Sequence, residues 1–155
     1  MRALPLTVLF FMFALSGLPA QEAAQAQDLA QIAAADPAFY IGLNLEELLG
    51  RFGPPLSVYA LRGLEAWQDD VVFSYAQGEF YILKDRVWQV ELKSAYRIKA
   101  GDPKTAALLV MGHDAKDMGD HLIAPLEAAD WPLSLRCNLD PAGKVLAIFI
   151  FRSDL

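Results

Sequence analysis

The chain has 155 residues, 55% of them hydrophobic, and a formal net charge of -6. That hydrophobic share excludes a disordered chain and suffices for a buried core, in one ordinary domain or in two small repeats sharing one. The acidic balance repels phosphate backbones and anionic lipid, so neither nucleic acid nor a membrane surface is an expected partner.

Residues 1–26 read as a secretory signal. Arg2 supplies the positive start, Leu4 to Leu15 the apolar run, and Ser16-Gly17-Leu18-Pro19 the break, with cleavage after Ala20 or Ala26. The apolar run is shorter than the roughly 20 residues a membrane span needs, and no cysteine lies near the cleavage zone to carry a lipid, so no stable membrane anchor is expected. The expected location is periplasmic or secreted. Residues 27–38 form a linker with a short helix, Asp28 capping it and Asp36-Pro37 ending it.

Two repeats follow, residues 39–94 and 95–155. In the first, Asn44 and Glu47 spell a capping box, and Leu45, Leu48, Leu49 and Phe52 form one apolar helical face. Gly53-Pro54-Pro55 stops that helix. Leu56–Leu61 reads as an edge strand and Leu64–Asp69 as a connector holding Trp67. Val71–Tyr75, Phe80–Leu83 and Val87–Leu92 are β-rich runs broken only by Gln77-Gly78 and Lys84-Asp85, which gives an antiparallel meander. Strict alternation sets Trp88, Val90 and Leu92 against Val87, Gln89 and Glu91.

The pattern then restarts. Gly42 and Gly53 bracket the first helix, and Gly101 and Gly112 bracket a second at the same spacing. Asp102 is expected to cap it, with Pro103 first in the helix and Ala106, Leu109 and Val110 as its apolar face. A loop with some helical character covers His113–Asp120. His121–Leu126, Leu133–Leu139 and Lys144–Arg152 read as strands, the last two joined by Asp140-Pro141-Ala142-Gly143. The fold class is therefore α+β: two degenerate helix-plus-meander repeats of about 58 residues each, helices on one sheet face, sharing one core.

The unit running from Gly42 through Gly53-Pro54-Pro55 into its strands resembles the SmpA/OmlA type of bacterial envelope domain. In tandem it is similar to the β-lactamase inhibitor protein (BLIP-like) fold. The resemblance implies an exported α+β protein that acts by binding through surfaces rather than by catalysis. The lipidated cysteine of the former and the disulfides of the latter have no counterpart here, so the resemblance extends to fold rather than to either activity.

The remaining candidates are chemical. His113, Asp117 and His121, flanked by Asp114 and Asp120, are imidazoles and carboxylates that suit a divalent ion if a helix brings His113 and Asp117 to one face; a solvated acidic loop fits the same residues. Asp69-Asp70 reads as a cap into the central strand more readily than as an acid–base pair. No serine sits in a G-x-S-x-G context, and the glycines spell no phosphate or dinucleotide loop. Cys137, the one cysteine, reads as a small buried hydrophobe and forms no internal disulfide.

Tyr59, Trp67, Tyr81 and Trp88 are the candidate binding residues, because aromatic side chains on a sheet face anchor protein partners. That face either presents them or is covered. The expected function is a non-enzymatic, cofactor-free binding module that engages a protein or peptide of the cell envelope. The alternatives are a small metal-dependent protein built on His113 and His121, and a ligand pocket between helices and sheet.

Overall fold

The computed structural model describes residues 36–63, 69–127 and 131–155. The leader, most of the linker, and Trp67 lie outside these described residues.

A 3-10 turn, Pro37–Tyr40, leads into helix α1, Leu45–Phe52. The capping box forms as expected: Glu47 N donates to Asn44 Oδ1 and Asn44 N to Glu47 Oε2, each at 2.9 Å. Gly53 ends the helix at φ 73°, ψ −162°, a region essentially closed to residues with a Cβ. Then come β1 (Ser57–Leu61), β2 (Asp70–Tyr75), β3 (Gly78–Leu83) and β4 (Arg86–Leu92). Two short strands, β5 (Ser94–Ala95) and β6 (Ile98–Lys99), form a small separate hairpin. Helix α2 (Lys104–Met111) precedes β7 (Lys116–Asp117), β8 (His121–Leu126), β9 (Leu133–Leu139) and β10 (Val145–Arg152).

Eight of these strands make one sheet, in the order β1-β2-β3-β4-β10-β9-β8-β7, every pairing antiparallel. Each meander ends in the strand that meets the other, β4 against β10, with Leu92 opposite Ile148 and Val90 opposite Ile150. The two units repeat one another in detail. Gly42 N donates to Val87 O and Gly101 N to Val145 O, both at 2.8 Å. Val87 N donates to Leu43 O and Val145 N to Asp102 O, both at 2.9 Å. The ladder shifts register at the same place in both, between Tyr81 and Ile82 opposite Val87 and Gln89, and between Val145 and Ala147 opposite Leu139 and Asn138. Register therefore equates Phe80 with Cys137, Glu79 with Arg136, Glu91 with Phe149, and Trp88 with Leu146.

One core serves both units. Leu48 of α1 and Ala107 of α2 are buried with Phe80, Val90, Leu122, Leu135, Cys137, Ile148 and Ile150 on a single sheet face. In the first unit Tyr40, Phe52, Tyr75 and Phe80 form a ring cluster with centroids 5.3–5.5 Å apart. Burying a side chain such as Phe80, fully enclosed here, contributes on the order of 2–3 kcal/mol. Burial pushes the Cys137 thiol up to about 11, so it sits as an inert apolar group.

Three local expectations fail, each for a visible reason. Asp102 does not cap α2: Pro103, in extended conformation, takes the cap position without a side-chain bond, and Asp102 Oδ2 accepts from Lys99 N at 2.9 Å, tying down the β5–β6 hairpin. The buried side of α2 is Ala107 with Leu108, Val110 and Met111, while Leu109 is 85% exposed and Ala106 is exposed too. Docking through Lys104 N to Gly143 O, 2.8 Å, fixes that rotation. Trp88 does not share a face with Val90 and Leu92, because the shift after Val87 turns it to the other side.

Candidate functional site

The sheet face turned away from the helices holds most of the chemistry. Register lays two unbroken rows across it. One runs Ser57, Ser74, Glu79, Glu91, Phe149, Arg136, Ile123 and Lys116. The other runs Tyr59, Val72, Tyr81, Gln89, Phe151, Ser134 and Pro125. Side chains directly opposite on neighbouring strands touch, so each row is a continuous strip.

Near β1 the strip is acidic and aromatic. Glu79 accepts from Tyr59 Oη at 3.3 Å and from Ser74 Oγ at 3.0 Å. Tyr81 Oη donates to Glu91 Oε2 at 3.1 Å, and Trp88 Nε1 donates to Asp70 Oδ1 at 2.9 Å. The Tyr81 and Trp88 rings meet edge-on at 6.5 Å. Glu79 and Glu91 stand directly opposite one another, and among the described residues neither forms an ion pair with a cationic side chain.

The electrostatics follow. Burial first, and then the Glu79 carboxylate beside it, hold the Tyr59 phenol above its ordinary value. Burial and the facing Glu91 push Tyr81 higher still. Burial raises Asp70, partly offset by the bond from Trp88, and the neighbouring charge of Asp69 adds to the rise.

Toward β9 the character changes. The Arg136 guanidinium lies over the Phe149 ring at 4.9 Å and the Phe151 ring at 5.8 Å. Its Nε is buried without a hydrogen-bond partner among the described residues. So the face carries carboxylates in the half that holds β1 to β4 and an aromatic-backed cation in the other half.

Three of the four expected aromatic residues, Tyr59, Tyr81 and Trp88, converge on this face. They are not equally available: Tyr59 is 45% exposed, Trp88 is half-buried, and Tyr81 is buried. Sequence reasoning missed Phe149, Phe151 and Arg136, which the β4–β10 pairing brings onto the same face. Alternation within β10 was the available signal, but no feature of the sequence announces that pairing.

The His–Asp set is not brought together. No helix forms between Gly112 and Asp120, and Lys116–Asp117 is a short edge strand instead. His113 pairs with Asp114 at 3.2 Å, His121 with Asp120 at 2.7 Å, and Asp117 with Lys104. The Lys104 bond, with one from Gly119 N, lowers the Asp117 pKa. Among the described residues no group of three His, Cys, Asp or Glu side chains is placed to hold a metal ion. A groove of about 650 Å³ opens beside the 3-10 turn, but its lining mixes Asp36, Glu47, Arg86 and Glu127 with Phe39 and Trp131, so it is no enclosed apolar pocket. No helix among the described residues is long and apolar enough to cross a membrane.

No protein-family description and no curated protein matches this sequence. Among solved structures, an extracellular protein containing a SCP domain from Bacillus anthracis str. Ames is similar to it, with a TM-score of 0.49 and 13% identity over 77% of this chain and 46% of that one. The chain spans about half the length of that structure.

Proposed function

We propose that this protein is an exported, non-enzymatic binding module of the bacterial envelope, in the manner of the SmpA/OmlA and β-lactamase inhibitor proteins it resembles. It holds a protein or peptide on the outer sheet face around Tyr59, Tyr81 and Trp88. The observation that carries the reading is the strip itself: aromatic rings and carboxylates set in register on one sheet face and held by side-chain hydrogen bonds. Side chains fixed before contact lose little freedom on binding, and aromatic anchors dominate interface energetics. The signal-like residues 1–26 support export.

The test is capture from envelope extract on the immobilised leaderless chain, at moderate salt. The double variant Tyr59→Ala/Trp88→Ala is compared with Leu109→Ala, an exposed change on the helical side. A specific partner should be retained by wild type and by Leu109→Ala and lost by the double variant. Capture that ignores the outer-face changes, or no capture at all, overturns the reading.

A further inference from the structure

The two edges of the sheet are built differently. β7 is two residues long and both are charged: Lys116, and Asp117, which pairs with Lys104. A short, charged edge resists the addition of another strand. β1 at the other edge is five residues, Ser57-Val58-Tyr59-Ala60-Leu61, every one of them exposed. It contains no charge, no proline and no register shift. Its outward backbone N–H and C=O groups have no neighbouring strand among the described residues. Leu56 beside it, Val58 within it and Val71 behind it are exposed apolar side chains.

We propose that β1 is a docking edge that accepts an extended polypeptide as a further strand of the sheet, and that the peptide alternates basic and apolar residues. This deepens the binding reading and rests on it for the partner being a polypeptide. Alternation follows from the pleat, since successive side chains of an added strand fall on opposite faces. On the helical side they meet Val58 and Ala60, which register with Phe73 and Val71. On the outer side they meet Tyr59, whose hydroxyl is tied to Glu79, with Glu91 directly opposite Glu79. A lysine or arginine there lies over the Tyr59 ring, on the half of the sheet whose nearest carboxylate, Glu79, has no cationic partner among the described residues.

A second copy of this chain fits less well. It would bring together two chains that each carry a net charge of -6. A five-residue ladder also buries far less than the roughly 1,200 Å² at the low end of stable interfaces.

The probe is a short peptide of alternating lysine and valine, titrated into the leaderless chain and followed by backbone amide NMR shifts. Controls are the same peptide N-methylated at every second residue, and one with glutamate in place of lysine. Shifts should concentrate at Ser57–Leu61. N-methylation, which removes ladder donors, should weaken binding at least about tenfold. Glu79→Gln should weaken it about two- to fivefold, and the glutamate peptide should not bind. Ser57→Lys, which gives β1 the residue that β7 carries at the matching place, should weaken it as well.

Equal binding of the N-methylated peptide, with shifts spread over β4 and β10, overturns strand addition while leaving the outer-face reading intact. No shift with any peptide overturns the edge inference alone, because the capture experiment judges the face. A concentration-dependent dimer that occupies the Ser57–Leu61 amides in the absence of peptide replaces the proposed occupant with a second copy and so overturns the inference.

Discussion

Phe80 and Cys137 occupy the same place in their units, both fully buried at the centre of a middle strand, yet one is a large ring and the other a small thiol. Around Phe80 the fill is aromatic, with Tyr40, Phe52 and Tyr75; around Cys137 it is aliphatic, with Leu122, Leu135 and Ile148. The surface diverges as sharply: Glu79 matches Arg136, and Glu91 matches Phe149. What the units keep in common is backbone: the glycine-bounded helix, the two hydrogen bonds that hang it on the last strand, and the register shift beside them. A frame fixed by main-chain bonds leaves its side chains free to change, provided each interior volume is filled.

That comparison can be broken or sharpened by substitution. Phe80→Ala should cost about 3–5 kcal/mol, because three rings lose their common neighbour. Cys137→Ala should cost far less, since it removes one sulfur. Urea unfolding of both variants checks this, and similar losses would mean the two interiors are not separately filled. Next in size, Gly53→Ala and Gly112→Ala should each cost about 1–3 kcal/mol, and the same amount as one another. Both sit at matching backbone angles, φ 73°, ψ −162° and φ 83°, ψ −166°, and unequal losses would show that the frame is not shared at its helix ends. Asn44→Ala should cost about 1 kcal/mol by removing a cap that α2 lacks. In the second unit Pro103 stands at the cap position, and Asp102→Ala should act on the β5–β6 hairpin and leave α2 unchanged by hydrogen exchange.

The smallest effect is a pH dependence at one position of the first unit that has no titrating counterpart in the second. The folded protein holds the Tyr81 proton more tightly than the unfolded chain does. The associated stability is therefore complete below about pH 10 and lost as pH rises above it. The matching residue, Asn138, has no such proton. Between about pH 9 and about pH 11 the wild-type urea midpoint should fall further than that of Tyr81→Phe.

The fold was legible where a residue type has one structural use. The paired glycines, the Asn44–Glu47 box and the Asp140–Gly143 turn each announce themselves, and together they give the repeat. Legibility ended where a residue has two. Asp102 suits a helix cap and a turn equally, and only the position of Lys99 decides between them. The β5–β6 hairpin turns on Tyr96 and Arg97 at positive φ, with no glycine or asparagine to mark it. The site was half legible. Tyr59, Tyr81 and Trp88 were singled out from residue type, but alternation put Trp88 on the wrong face, because an extra residue in a ladder leaves no compositional trace. Phe149, Phe151 and Arg136 joined them only through a pairing between distant segments.

The pairing of β4 with β10 also sets a timetable. Residues 89–92 wait for residues 148–151, which follow them by more than fifty positions. Closing so long a loop is slow and comes late in folding. Until it closes, the first meander has a bare side that no local segment can cover. A translation product cut short before residue 145 would keep that side permanently, and with it the tendency of unpaired strands to aggregate.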